Sequence, residues 1–571
     1  MAPPASLLMR PGKMLVDQSA VDRRQGQLDT TAELAGLAAD SRTVAVWTLV
    51  SRITGFGRVA AIAAVLGPTY FGNLFQTANA FPHVVHELLV GSLITGLLVP
   101  PIVRHVDARD PAAAKRLANG FLGVAALAGA AAALLCLGAV PLLLFLMTAA
   151  VDVPDVRQRQ SELGAPLVAL VLPQILLYGI IATGVAVQNA HRRFALPAAV
   201  PAVENLGIMA VMGASGLLYG VGLDVHQVSV PQILLLGGGS TVAVALHAAA
   251  QWYGAYRVGV PLVPRAGWRD PEVRAIIRLA LPSSGHAALN CATFFGLLVV
   301  AGAVPGGTVA FQIGLYFFNL PIALCARPLA AAQLPRLSRS INEGIRAAFD
   351  ATYRNSLGLA LFVAIPASLL FLSMPGTWAR AVSFGEMHTG LGVALITAVI
   401  ASLGAGVIGE TIVIVATSAS YARRDAVSPL LAIAIRAAVA FGGMVIAFTL
   451  MSGTAVLWTL GAALSAANLI AAAYLHHRQI RQRWHGLWAG GGQVLGDLVV
   501  AAVAIPPGML VAARLDAAIP GPYGGMVTAI AVLALSASLY LSIQWLRGSE
   551  QLRSLLTASR ELVPERAEPS C

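Results

Sequence analysis

The fold class predicted for this chain is an all-α polytopic membrane protein, and three observations predict it. Fourteen long apolar stretches recur along its 571 residues. Charged residues make up only 11% of the chain against 57% apolar ones, far from the balance of a water-soluble domain. Arg and Lys gather in alternate connections between the stretches, as the positive-inside rule requires of cytoplasmic loops.

Residues 1–42 mix acidic and basic groups and lack the apolar core of a signal peptide, so they read as a cytosolic tail. The apolar stretches follow at 43–65, 74–103, 118–148, 163–188, 196–220, 230–252, 277–302, 307–334, 356–379, 390–418, 426–451, 455–475, 493–513 and 522–546. Each is near or above the roughly 20 residues that cross about 30 Å of hydrocarbon as a helix. Even-numbered hinges carry clusters such as Arg104/Arg109/Lys115/Arg116, Arg192/Arg193, Arg423/Arg424 and Arg478/Arg481/Arg483, whereas the odd-numbered hinges hold only Arg157, Arg159, Arg380 and Arg514. Both termini are therefore expected in the cytosol. The net charge of +11 follows from loops facing anionic headgroups and does not call for nucleic acid. Four cysteines without paired spacing imply neither a disulfide framework nor a metal knuckle.

Two echoes divide the chain. Span 2 ends in Val99-Pro100-Pro101-Ile102-Val103-Arg104 and span 8 in Leu334-Pro335-Arg336-Leu337-Ser338-Arg339; a Pro and an Arg four residues later recur at an offset of 235. The hinge around Arg192-Arg193 resembles that around Arg423-Arg424, displaced by 231. The reading is a first lobe at 43–252 (spans 1–6), a cytosolic linker at 253–276 and a second lobe at 277–475 (spans 7–12). Spans 13–14 with their preceding hinge follow at 476–546, then a cytosolic tail at 547–571. A cavity between parallel lobes is the expected substrate site.

Span 1 contains Ser51-Arg52-Ile53-Thr54-Gly55-Phe56-Gly57-Arg58. At about 1.5 Å per residue, Arg52 sits roughly 14 Å and Arg58 roughly 22 Å along the span. Facing lipid, each would cost about 2.5–3.5 kcal/mol, so a wet cavity or a partner is expected. Arginine presents a rigid fork of donors that fits a phosphate, which favours an anionic substrate. The plainer alternative for Arg52 is that it snorkels to the headgroups. Gly55 and Gly57 weaken the helix and suit a bend that gates the cavity. Span 2 carries Asn73, Gln76, Asn79, His83, His86 and Glu87, most of them on one helical face; the row either lines the cavity or bonds neighbouring helices. Glu87 is the expected ion-pair partner of Arg58 or Arg52. The order His-x-x-His-Glu is not a metalloprotease signature, and no metal or cofactor is expected. Weaker polar breaks occur at Glu204 and Asn205 in span 5, His286 and Asn290 in span 7, Arg327 in span 8, Glu410 in span 10 and Asp497 in span 13. No nucleotide-binding loop is present in the sequence, so a bound nucleotide is not the expected energy source.

The string Ser51-Arg52-x-x-Gly55-Phe56-x-Arg58 with Leu66-Gly67, Phe81-Pro82 and Val99-Pro100 resembles the MurJ/MviN family of lipid II flippases, part of the multidrug/oligosaccharidyl-lipid/polysaccharide exporter superfamily. The likeness continues at Asn189-x-x-x-Arg193-Phe194-x-x-Pro197, Pro201 and Asn205, then at Leu320-Pro321 and Leu334-Pro335-x-Leu337-Ser338. This resemblance implies a V-shaped pair of lobes in a bacterial cytoplasmic membrane, an arginine-lined cavity to which Arg52 and Arg58 contribute, and a groove at spans 13–14 for an undecaprenyl tail. It implies a lipid-linked glycan as substrate, membrane lipids and cell-wall synthesis proteins as partners, and transport by alternating access without covalent chemistry; the coupling ion is not named. Val59 stands where the family has an acid, Asn73 where it has Asp, His86 where Arg is usual, and Tyr316 at a cavity Arg of span 8. The rival readings are an ion-coupled exporter of small cationic compounds and a transport-dead scaffold for cell-wall synthesis.

Overall fold

The computed structural model describes residues 46–89, 93–481, 491–519 and 521–561, and among these it contains helices and no strand. Among the described residues eleven helices are long and apolar enough to cross a bilayer, and the pair Gly390–Gly404 and Gly406–Ala422, bent by 45°, makes a twelfth when taken as one span. Helices also occupy the two remaining expected positions, and both carry polar groups that dilute their hydropathy. Span 2 is Tyr70–Leu89 followed by Leu93–Asp107, and span 7 is the 31-residue helix Pro271–Ala301, whose first turns hold Glu272, Arg274 and Arg278.

Several helices run past the apolar stretch that announced them. Span 4 begins at Pro154 and span 7 at Pro271, each with Pro in the first helical turn, where its missing N–H costs nothing. Asp270 caps span 7 by accepting from the backbone N–H groups of Glu272 and Val273. Span 3 is divided at Ala139 into Pro111–Gly138 and Val140–Thr148, because Pro141 favours a new helix start. Outward faces carry strongly exposed leucines such as Leu134, Leu217 and Leu510, a surface stable in hydrocarbon and not in water.

The sequence echoes extend to the backbone. Arg192 and Arg424, 232 residues apart, adopt left-handed φ values of 55° and 60°. Each is followed by the same closure: Arg193 N–H donates to Gln188 O (2.9 Å) and Asp425 N–H to Ser420 O (3.0 Å). Hinges 2 and 8 repeat the pattern at the offset of 235, with Arg109 at φ 55° and Gly344 at φ 71°. The stretch 253–276 is not a free linker. Val260 and Leu262 are buried, Arg265 N–H donates to Asn119 O at 3.0 Å, and Val263 N–H donates to Asn119 Oδ1 at 3.1 Å. Gly120 and Gly123 of span 3 make this close approach sterically open. Hinge 2 is tied to the same stretch by Arg104 and His105 on Glu272 (3.1 and 2.8 Å) and by Arg116 on Asp270 (3.4 Å).

Candidate functional site

Span 1, Val46–Leu66, is a continuous helix through Gly55 and Gly57, with no break in it at the glycines. The glycines instead let span 5 lie close: a Cβ on Gly55 would stand 3.4 Å from Asn205 Nδ2, and one on Gly57 would stand 3.4 Å from Met209 Sδ. That proximity decides the partner of Arg58. Its Nη1 lies 3.5 Å from Glu204 Oε1 and its Nη2 donates to the Tyr316 hydroxyl at 3.4 Å, while Nε is buried without a partner. Thus Glu204 of span 5, and not the expected Glu87, supplies the counter-charge. His247 Nδ1 sits 2.7 Å from the other oxygen of Glu204, and the chain continues to Gln251, whose Oε1 accepts from Gln188 Nε2 at 2.7 Å. Asn205 holds span 1 directly, its Nδ2 donating to Ser51 O (3.3 Å) and Thr54 Oγ1 (3.2 Å).

Arg52 is exposed and lines a cavity of about 320 Å³ with Thr48, Ser51, Pro197, Asn205 and Tyr316, at the end of the bundle where the even-numbered hinges lie. Tyr316 touches both arginine environments, and Phe56 packs edge-on against the rings of Tyr316 and Phe317 (6.5 and 6.0 Å). Arg52 therefore stands at a mouth, while Arg58 lies farther along the span, outside this cavity's lining and in contact with Glu204 and Tyr316. Val59, one residue on from Arg58, is fully buried in the apolar cluster of the C-terminal half. An acid at that position would be buried in hydrocarbon-like surroundings.

The polar row of span 2 divides by depth. Gln76 is buried with Nε2 unpartnered, and Asn79 Oδ1 is likewise buried and unpartnered. Exposed His83 and buried His86 both pack on the ring of Tyr178 at 5.6 Å, and Glu87 lies within electrostatic reach of His83. Asn73 has a different place from the cavity expected for it. Its Nδ2 donates to Gly302 O (3.3 Å) and Val304 O (2.7 Å), and its Oδ1 accepts from Thr308 N–H (3.0 Å). Gly306 N–H donates to Thr69 O at 3.1 Å in the same seam.

This seam closes the end that holds the odd-numbered hinges. Gly306, at φ 73°, lies so near Pro68 that an added Cβ would stand 2.2 Å from Pro68 Cα. Gly385 meets Ala64 as tightly, at 2.5 Å from its carbonyl oxygen, and Glu386 packs against Gly67 and Gly222. Four odd hinges are thus in backbone-level contact, while the even-hinge end keeps the cavity at Arg52.

A second chamber of about 620 Å³ lies in the C-terminal half and gathers Asn290, Arg327, Glu410 and Arg436 with His286 and Asn468. Arg436 Nη1 is 2.8 Å from Glu410 Oε2 and Nη2 is 3.5 Å from Asn290 Oδ1; Arg327 Nη2 donates to Asn319 Oδ1 at 3.3 Å. Removing the cation leaves Glu410 unneutralised. Arg436→Ala is therefore expected to destabilise the protein by about 3 kcal/mol, and Arg436→Ala/Glu410→Gln by clearly less; thermal unfolding of purified protein in detergent checks both. Asp497, by contrast, is a packing partner, accepting from Gln544 Nε2 at 2.6 Å. A groove of about 980 Å³ runs between the helices 346–373 and 491–518, lined on its apolar side by Leu357, Leu361, Ile412, Leu469 and Leu498 and on its polar side by Arg354, His476, Asp497 and Glu550.

Sequence reasoning ranked Glu204 as secondary and passed over His247 and Tyr178. An ionisable His247 inside span 6 was a readable signal by the rule that drew attention to Glu204; Tyr178 in an apolar helix offered none.

A family model described as lipid II flippase MurJ matches residues 62–515. A probable lipid II flippase MurJ of Rhizobium tropici is 24% identical over 398 residues, covering 70% of this chain and 73% of the relative. The lipid II flippase MurJ of Burkholderia cenocepacia is 22% identical over 397 residues, covering 68% and 74%. Among solved structures, a lipid II flippase MurJ in an inward closed conformation superposes with a TM-score of 0.67 at 15% identity, over 88% of this chain and 98% of that one. An inward-facing multidrug resistance transporter of the MATE family and MOP superfamily gives 0.59 at 15% identity, over 76% and 98%. These superpositions establish a shared fold, and the family model spans most of the sequence, including the helices that carry Glu204, His247 and Tyr316: the chain is a multi-pass membrane protein that belongs to the lipid II flippase MurJ family.

Proposed function

We propose that this protein moves a polyprenyl-pyrophosphate-linked cell-wall precursor, lipid II or a close analogue, across the bacterial cytoplasmic membrane by alternating access. The observation that carries the reading is Arg58, held at mid-span between Glu204 and Tyr316 and so joining helices of the N- and C-terminal halves, with solvent-facing Arg52 at the mouth. The pyrophosphate is taken by Arg52 first and Arg58 next, since each can offer two parallel donors to phosphate oxygens. Gln76 and Asn79, with unspent hydrogen-bonding capacity, then His83, His86 and Glu87, line the path for the glycan. The groove beside spans 13–14 takes the polyprenyl tail.

The two halves act as lobes, supported by the repeated hinge geometry and by apolar clusters that fall mostly in one half or the other. With basic hinges in the cytosol, both termini are cytosolic, the glycine seam is the outer seal and the cavity at Arg52 opens inward. Gly55 and Gly57 are where span 1 yields when the seal opens. An exporter of small cations is disfavoured by guanidinium groups in the chamber. Fluorescently labelled lipid II in proteoliposomes, read by a leaflet-specific quencher, tests the assignment: protein-dependent exchange is expected, and exchange no faster than in protein-free vesicles would reject it.

A further inference from the structure

We propose that Glu204 and His247 form a proton-binding site coupled to the oxyanion site through their shared cation, Arg58: an arriving phosphate takes the guanidinium, and a proton takes its place on Glu204. The inference rests on Arg58 being an oxyanion ligand.

The geometry around the carboxylate is unequal. Its contact with His247 Nδ1 is short, 2.7 Å, whereas Arg58 reaches it at 3.5 Å and has one other partner, Tyr316, at 3.4 Å. Arg58 Nε is buried with no acceptor at all. The guanidinium is held by charge and not by a matched fork, and a phosphate presenting two oxygens in its plane would hold it better. The groups that face Glu204 from the packed helices are Arg58 of span 1, His83 of span 2 and His247 of span 6, with Tyr178 of span 4 also in reach. Against an ionised Glu204, His247 donates from Nδ1, so in the neutral ring Nε2 is the acceptor; it faces the Gln251 amide at 3.5 Å. Arg58 is then the one permanent cation of the set. When it turns to an anion, a carboxylate only 12% exposed is left without its permanent counter-ion. A buried charge without a counter-ion is relieved by protonation. An O–H bond forms at Glu204 Oε1, the oxygen Arg58 vacates, with the proton drawn from solution through the mouth at Arg52. It breaks when the anion leaves and Arg58 returns. Because proton and anion are bound together, the site compensates charge in the loaded carrier and does not supply drive.

Sulfate is a suitable probe because its charge does not titrate near neutrality. Calorimetric titration of the purified full-length protein in two buffers of different ionisation enthalpy at one pH gives the protons taken up per sulfate bound. The wild type should take up about one proton more than Glu204→Gln, and its sulfate affinity should rise by up to about tenfold per unit fall in pH. Sulfate binding with equal proton counts overturns this proposal alone. Wild type and Arg58→Ala that both fail to bind sulfate overturn the oxyanion reading and this proposal with it. Should Glu204→Gln not yield a monodisperse protein, the wild-type pH series decides, and a flat affinity overturns the proposal.

Discussion

Replacing Arg58 with alanine is expected to abolish rescue of a flippase-depleted cell. The substitution removes the deeper of the two guanidinium groups of span 1, and with it the charge-assisted, two-donor grip on a phosphate proposed for that depth. It also leaves Glu204 without its cation, which costs about 3 kcal/mol of stability in a site this well covered. The two effects separate in the double variant Arg58→Ala/Glu204→Gln, which removes both charges and should restore the amount of protein in the membrane while leaving rescue absent. Arg58→Lys adds a second control: it keeps the charge that Glu204 needs but loses the planar fork, so protein level should hold and rescue should still fail or be severely reduced. Growth under depletion, set beside quantified membrane protein, reads all three. Full rescue by the double variant would remove Arg58 from the substrate site.

Gly306→Val should hold the odd-hinge seam open. The position combines a left-handed φ of 73° with a Cβ site 2.2 Å from Pro68 Cα, a backbone atom that has no rotamer to turn away. A β-branched residue in that backbone region costs about 1–3 kcal/mol before any clash is counted, and the collision can be relieved only by parting the two strands of chain. Parting them also breaks the hydrogen bonds that Asn73 donates to Gly302 O and Val304 O and the one it accepts from Thr308 N–H. Since 1.4 kcal/mol is about a tenfold change in an equilibrium, the closed form should fall by at least about tenfold. In a background with the native cysteines replaced, a cysteine introduced at buried Val304 should react with a membrane-impermeant maleimide much faster when Gly306→Val is present, and transport should be lost. Unchanged labelling would show that these glycines pack the fold without gating it.

Much of the architecture was open to reading from residue types alone. Apolar length and the distribution of Arg and Lys located helices at all fourteen positions, and the sequence echoes at offsets of 235 and 231 mark the hinges whose left-handed residues recur at 235 and 232. The ends of the helices were less legible, because Pro154 and Pro271 let a helix start in polar sequence well before hydrocarbon begins. At the site, the span 1 arginines announced themselves by the cost of burying charge. Their pairing did not: Glu87 and Glu204 carry the same chemistry, and only the glycine-permitted contact of span 1 with span 5 selects Glu204. Asn73 and Gln76 looked alike in one polar row, yet one fastens the seam and the other retains free hydrogen-bonding capacity.

The sequence by itself determined that this is a bundle of membrane-crossing helices, with hinge patterns that recur along the chain and charge too deep in its first helix to face lipid. Those conclusions follow from transfer free energies, which depend on residue type and position along a helix. Tertiary structure alone decided which carboxylate neutralises Arg58, that His247 joins it, that Asn290, Glu410 and Arg436 share one chamber, and which end of the bundle is sealed. Each of these is a contact between helices tens to hundreds of residues apart, set by how closely two backbones approach, and hydropathy carries no term for that distance.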